Sequence, residues 1–209
     1  MLPSYVLIVS SARLHVTRWP DLGPELPRSG GPVSRAIGRL ALRAMGWRVE
    51  GEVPNIPKLV LIAAPHTSNW DFVVGISGKV ALGLRVVFLG KDSLFRFPLG
   101  PLMRAWGGIP VDRSASHDVV SGMVDEFARR DRLVLAVAPE GTRKRVERWR
   151  TGFYHIAHGA RVPIVPVALN FGERAIQIGA PFATTGDLEA DLRRLQQIFS
   201  GVRGKRPKV

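Results

Sequence analysis

The 209-residue chain contains no cysteine. Disulfides, thiolate-ligated metal or iron–sulfur centres and a cysteine nucleophile are therefore excluded, and the composition suits a reducing compartment. Long apolar runs are also missing. The longest near the start, residues 5–9, is far short of the roughly 20 residues a bilayer-spanning helix needs, so no membrane span is expected. No basic residue precedes it, so a secretory signal is not expected either. Three frequent α/β signatures do not occur: G-x-S-x-G, G-x-x-x-x-G-K-[ST] and G-x-G-x-x-G. Acidic residues are scarce, 17 Asp and Glu against 30 Lys and Arg, for a formal net charge of +13. Such a surface attracts polyanions: nucleic acid, anionic lipid, a phosphorylated substrate or an acidic carrier protein. Lysine is the minor cation, six against 24 arginines. Bidentate phosphate chemistry and a biased genome would both produce that excess.

Apolar residues at 45% and charged residues at 22% describe a globular chain of one domain, with or without a short arm. Short apolar runs at 48–53, 59–64, 84–89, 109–111, 132–138, 162–169 and 175–178 read as strands. Helical periodicity marks 33–45, 72–82, 118–130, 153–158 and 188–199. Strands alternating with helices predict an α/β fold with a largely parallel central sheet flanked by helices. The Pro/Gly-rich passage 20–32 reads as a loop or linker, and the expected organisation is an N-terminal arm over 1–50 that carries the helix at 33–45, followed by a domain over 51–209. Pro163 and Pro166 predict an edge or bulged strand, because neither can donate a ladder hydrogen bond. Residues 203–208 read as a basic, frayed tail.

Two apolar stretches have two readings each. Val33, Ile37, Leu40, Ala41, Ala44 and Met45 recur at helical spacing, with Arg35, Arg39 and Arg43 on a second stripe. A basic amphipathic helix of this kind lies in an anionic headgroup layer or packs its apolar face on the core. Phe95, Phe97, Leu99, Leu102, Met103 and Trp106, interleaved with Arg96 and Arg104, suit an interfacial contact or a core cluster. Pro98, Gly100 and Pro101 break that stretch too often for a long helix.

Four blocks carry possible chemistry. The first is Pro65-His66-Thr67-Ser68-Asn69-Trp70-Asp71, directly after a buried strand. On one helix His66 and Asp71 would diverge by roughly 140°. With His66 leaving the strand and Asp71 opening the next helix, carboxylate and imidazole meet, and the carboxylate fixes the tautomer while the other ring nitrogen takes a proton. Asp71 also suits the helix N-terminus. The second block is Ala138-Pro139-Glu140-Gly141-Thr142-Arg143, where Gly141 allows a tight turn, backbone amides can nest an anion and Arg143 offers a fork to phosphate. Lys144, Arg145, Arg148 and Arg150 extend it around Trp149; as a plain alternative, the segment is a solvated basic loop. The third block, residues 108–114, is a strand leading to Arg113, and the fourth, residues 162–167, holds the two prolines. His155 and His158 sit three apart without a nearby third ligand and read as structural, so no metal site is expected.

In this order the blocks resemble the glycerophospholipid acyltransferase family, whose best-known members acylate lysophosphatidic acid. His66 and Asp71 match its H-x-x-x-x-D block, Arg113 its second-block arginine, Glu140-Gly141-Thr142-Arg143 its E-G-T-R block, and Pro163 or Pro166 its proline block. The resemblance spans about residues 59–169, with Pro65 and Ala138 standing where many members carry Asn and Phe. It implies an O-acyltransferase domain that moves a fatty acyl group from acyl-CoA or acyl carrier protein, as co-substrate rather than cofactor, to a lysophospholipid hydroxyl, foremost 1-acylglycerol-3-phosphate. His66 would be the general base and Asp71 its partner; Arg113, Glu140, Gly141, Thr142 and Arg143 would bind substrate. The expected location is peripheral, on the cytoplasmic face of an anionic membrane. Two rival readings are a lipid-binding relative without turnover and a non-specific nucleic-acid-binding protein. Against the latter, no helix-turn-helix, RRM or zinc element is recognisable and only two tyrosines are present.

Overall fold

Apolar side chains alternate along the central strands, and that alternation builds helices onto both faces of a sheet. The computed structural model describes residues 19–111, 116–142 and 148–206. Their elements run α1 (Pro32–Ala44), β1 (Arg48–Glu50), β2 (Lys58–Ala64), α2 (Asn69–Leu82), β3 (Val87–Lys91), a 3-10 turn (Asp92–Phe95), α3 (Gly100–Ala105), β4 (Gly108–Val111), α4 (Ser116–Arg129), β5 (Leu133–Val137), α5 (Gly152–Ala160), β6 (Ile164–Asn170), β7 (Ala175–Ile178) and α6 (Leu188–Ile198). The strand order is β1-β7-β6-β2-β5-β3-β4. Pairings are parallel except between β6 and β7, so the sheet is largely parallel, as the alternation of elements implies.

The period-two pattern sorts the core into two layers. Leu59, Val134 and Val165 face the cluster under α1 and α2, whereas Val60, Ile62, Leu133, Leu135 and Ile164 face the cluster made with α4, α5 and α6. Each fully buried side chain of this size contributes about 1.5–3 kcal/mol relative to exposure. Half-buried Lys79 ties α2 to the strands beyond it: its ammonium donates to the carbonyls of Val86 and Trp106, and desolvation lowers its pKa.

Two elements differ from the sequence reading, and a third chooses between two readings. β6 is interior, between β7 and β2, despite its proline. Pairing with β7 stops at Val167↔Ile178 and returns only as the bridge Ile164↔Phe182, so residues 165–166 stand against residues 179–181. The bulge is therefore on the neighbouring segment, opposite the donor that Pro166 lacks, and Pro166 still accepts from the Gly179 amide at 2.8 Å. Second, β3 starts at Val87 rather than at 84, because left-handed Gly83 ends α2 and Leu84 is spent on a bridge to Arg28.

The orientation of α1 chooses between the two readings of its sequence. Its apolar stripe points outward, with Val33, Ile37 and Leu40 exposed at 73%, 61% and 68%. Gly38 and Leu42 are the buried residues, and a Cβ on Gly38 would stand 2.4 Å from the Ala81 nitrogen. α1 thus meets α2 almost backbone to backbone. The arginine stripe turns toward the body: Arg39 donates to the Ala81 carbonyl at 3.2 Å and lies over Trp19, and Arg35 packs against Gly83. In the second stretch Phe95 and Met103 are buried, while Phe97 is 91% exposed beside exposed Leu94, Leu99 and Leu102. Among the described residues no helix is long and apolar enough to cross a membrane.

Candidate active site

β2 delivers His66 to the carboxyl edge of the sheet, where open α/β folds place their sites. The chain then turns, and Ser68 caps α2 by accepting from the Trp70 amide at 2.9 Å. Asp71 completes a capping box: its Oδ2 accepts from the Ser68 amide at 2.7 Å and from the Thr67 amide at 2.5 Å. The same oxygen lies 3.1 Å from His66 Nδ1. One buried carboxylate therefore closes the turn, caps the helix and aims the ring. The Asp71 side chain is 1% exposed and that of His66 27%. With Nδ1–H directed at Asp71, Nε2 is the nitrogen left to receive a proton. Asp71 Oδ1 is buried and accepts no hydrogen bond among the described residues.

The second block arrives from the adjacent strand: β5 pairs with β2 through Ile62↔Val137, so Glu140 follows a strand end next to His66. Glu140 is buried, and its Oε2 accepts from the His66 amide at 2.7 Å. Its carboxylate thus fixes the main chain that carries the imidazole. Gly141 has φ 65 and bonds back to the Ala138 carbonyl, and a Cβ there would meet the Arg150 side chain at 2.6 Å. Arg150 closes the loop by donating its amide to the Pro139 carbonyl at 2.8 Å. Trp149 packs edgewise on Phe153 and Phe199, so the basic segment is anchored by a ring on the core. Thr142 follows Gly141 half-buried. Arg113, Arg143, Lys144 and Arg145 lie outside the described residues. β4, the strand before Arg113, lies at the far edge of the sheet, a position that accommodates its Pro110.

Sequence reasoning missed two features of this edge. Lys91, the last residue of β3, is exposed where β3, β5 and β2 all end on the same side. The segment after α6, expected to fray, instead returns to the His66 turn. The Arg206 amide approaches Thr67 Oγ1 at 3.4 Å, and the Phe171 amide donates to the Arg203 carbonyl at 2.8 Å. No local pattern announces such a return; only the glycine at 204, among cations, marks a place where chain can pass close to chain. The histidines of α5 are elsewhere: His158 stacks on Tyr154 and contacts Thr184 Oγ1 through Nδ1 at 3.0 Å. Among the described residues no group of three or more His, Cys, Asp or Glu side chains could hold a metal ion.

An imidazole steered by a buried carboxylate, at the carboxyl edge of a largely parallel sheet, has a geometry that can accept a proton. Residues 48–170 match the family model described as Acyltransferase, a span that contains all four blocks. The chain belongs to this acyltransferase family. It is 34% identical over 165 residues to the 1-acyl-sn-glycerol-3-phosphate acyltransferase of Haemophilus influenzae, covering 73% of this chain and 65% of that protein. It is 31% identical over 158 residues to the Salmonella typhimurium protein of the same name, covering 70% and 62%. The chain thus spans slightly less than two thirds of the length of these relatives. Its fold is that of the crystal structure of the 1-acyl-sn-glycerophosphate (LPA) acyltransferase PlsC from Thermotoga maritima, with TM-score 0.53 at 17% identity over 83% of this chain and 80% of the other.

Proposed function

We propose that this chain transfers an acyl group from acyl-CoA or acyl carrier protein to a lysophospholipid hydroxyl, foremost that of 1-acylglycerol-3-phosphate, giving phosphatidic acid. The observation that carries the reading is the aimed imidazole, Nδ1 held by buried Asp71 and Nε2 left for substrate. His66 takes the acceptor's hydroxyl proton as the oxygen attacks the thioester carbonyl. The C–O bond forms, the C–S bond breaks, and the imidazolium returns its proton to the departing thiolate. Asp71 stabilises the imidazolium, and Glu140 keeps the His66 main chain in register. The absence of cysteine and of a serine elbow favours direct transfer over an acyl-enzyme. Gly141, Thr142, Arg143 and Arg113 would seat the acceptor's phosphate.

The outward apolar face of α1 supports a peripheral membrane position. Beside it lies a groove of about 700 Å³ lined by Arg28, Arg35, Arg39 and Arg43 with Trp19. Val33, Ile37 and Leu40 would enter the acyl boundary while the exposed cations of this rim, Arg28 and Arg43, meet headgroups, each worth about 1 kcal/mol near an anionic surface. The test is an assay of acyl-CoA and acyl-carrier thioesters against a panel of lysophospholipids, with products identified by mass. Phosphatidic acid formed with release of free thiol is the expected result; no thioester consumption with any acceptor would refute the reading.

A further inference from the structure

The segment after α6 crosses the one turn on which the site depends. Thr67, inside that turn, gives its amide to Asp71 Oδ2 at 2.5 Å, and its side chain is buried. Gly204 lies directly on it: a Cβ at 204 would stand 2.6 Å from Thr67 Cγ2 and 2.8 Å from Thr67 Oγ1. Gly204 is not among the glycines with positive φ, so the position requires space rather than a special backbone conformation. Both ends of the crossing are held. Upstream, the Phe171 amide just past β6 donates to the Arg203 carbonyl at 2.8 Å. Downstream, the Arg206 amide reaches Thr67 Oγ1 at 3.4 Å. Between them the Lys205 ammonium lies 5.9 Å from the Phe171 ring centre and 6.0 Å from that of Trp70, in the first turn of α2.

We propose that residues 203–206 are a positioning strap for the His66–Asp71 turn, acting through Thr67 rather than on the substrate. The strap joins the end of β6 to the start of α2 and presses the Thr67 amide onto the carboxylate that aims His66. Without it, Asp71 Oδ2 keeps its Ser68 bond but loses the constraint on its Thr67 donor, and the imidazole is free to swing. Catalytic groups tolerate about 0.5 Å of such freedom. The kinetic part of this inference rests on the acyl-transfer reading; the structural part does not.

Three variants test it: deletion of residues 203–209, Gly204→Ala, and Gly204→Ala combined with Thr67→Ala, which removes both side-chain atoms that the new Cβ strikes. Hydrogen–deuterium exchange of the amides at 66–71 reads the turn without requiring turnover. Deletion and Gly204→Ala should each speed that exchange and lower kcat about tenfold or more, with KM changed less than about twofold. The double variant should restore both. If the deletion variant does not fold, the Gly204→Ala pair decides alone. Unchanged exchange at 66–71 overturns the strap, as does faster exchange with wild-type kcat, or an uncorrected defect in the double variant. If the wild-type protein consumes no thioester, the acyl-transfer reading falls, and exchange alone then upholds or removes the strap.

Discussion

The molecule buries an aspartate near the start of each of two helices and obtains opposite results. Asp71 accepts from two backbone amides near the start of α2 and from an imidazole. Asp191, near the start of α6, accepts from the Thr185 amide at 2.7 Å, the Thr185 hydroxyl at 3.0 Å and the Tyr154 hydroxyl at 2.9 Å. The difference lies in the partner. Tyr154 is buried, and its hydroxyl also accepts from the Gly186 amide, so both of its capacities are used inside the protein. His66 is partly exposed and keeps a second nitrogen for the outside. A buried carboxylate beneath a saturated partner is a brace; beneath a partner with a free valence it is an aiming device.

The comparison breaks most sharply if the two carboxylates are removed in turn. Asp71→Asn should lower kcat by about 10²-fold or more, because the amide no longer fixes the tautomer; steady-state thioester kinetics measures this. Asp191→Asn should leave kcat unchanged and cost about 1–3 kcal/mol of stability, read as a lower midpoint in denaturant. A kinetic defect in Asp191→Asn equal to that of Asp71→Asn would erase the distinction.

Acidification sharpens it next. Burial pushes the Asp191 carboxyl up, but the bonds from Thr185 and Tyr154 and the nearby Arg194 charge outweigh it and leave it below the usual aspartate range. A carboxyl lowered in the folded state contributes stability that is complete above the unfolded value of about 3.9 and disappears as pH falls through the depressed value. The stability gap between wild type and Asp191→Asn should therefore narrow on acidification below that range, as thermal melts would show. The smallest stability effect belongs to the outer face of α1. Ile37→Asp should stay within about 0.5 kcal/mol of wild type, since the side chain touches no core, yet weaken co-sedimentation with anionic vesicles.

Much of the fold was legible because the information was local. Apolar runs at 59–64 and 132–138 become β2 and β5, and H-x-x-x-x-D sits where a strand hands over to a helix, so the His66–Asp71 contact follows from turn geometry. What escaped was non-local. Periodicity identified the two stripes of α1 but not which faces inward, since that is decided by the fit of Gly38 against the Ala81 backbone. The prolines of 162–167 argue for an edge or bulged strand, and only the pairing with β7 shows an interior strand with the bulge opposite Pro166. From the family resemblance alone Glu140 is expected to bind substrate, and only the adjacency of β2 and β5 shows its bond to the His66 amide. The return of 203–206 onto Thr67 joins residues 139 apart, beyond any local signal.

The central claim is that His66 is the proton acceptor for acyl transfer, and free-thiol release by His66→Ala in the presence of 1-acylglycerol-3-phosphate tests it most directly. The expected rate is about 10²–10⁴-fold below wild type at an unchanged melting temperature. Thiol release at the wild-type rate would contradict it.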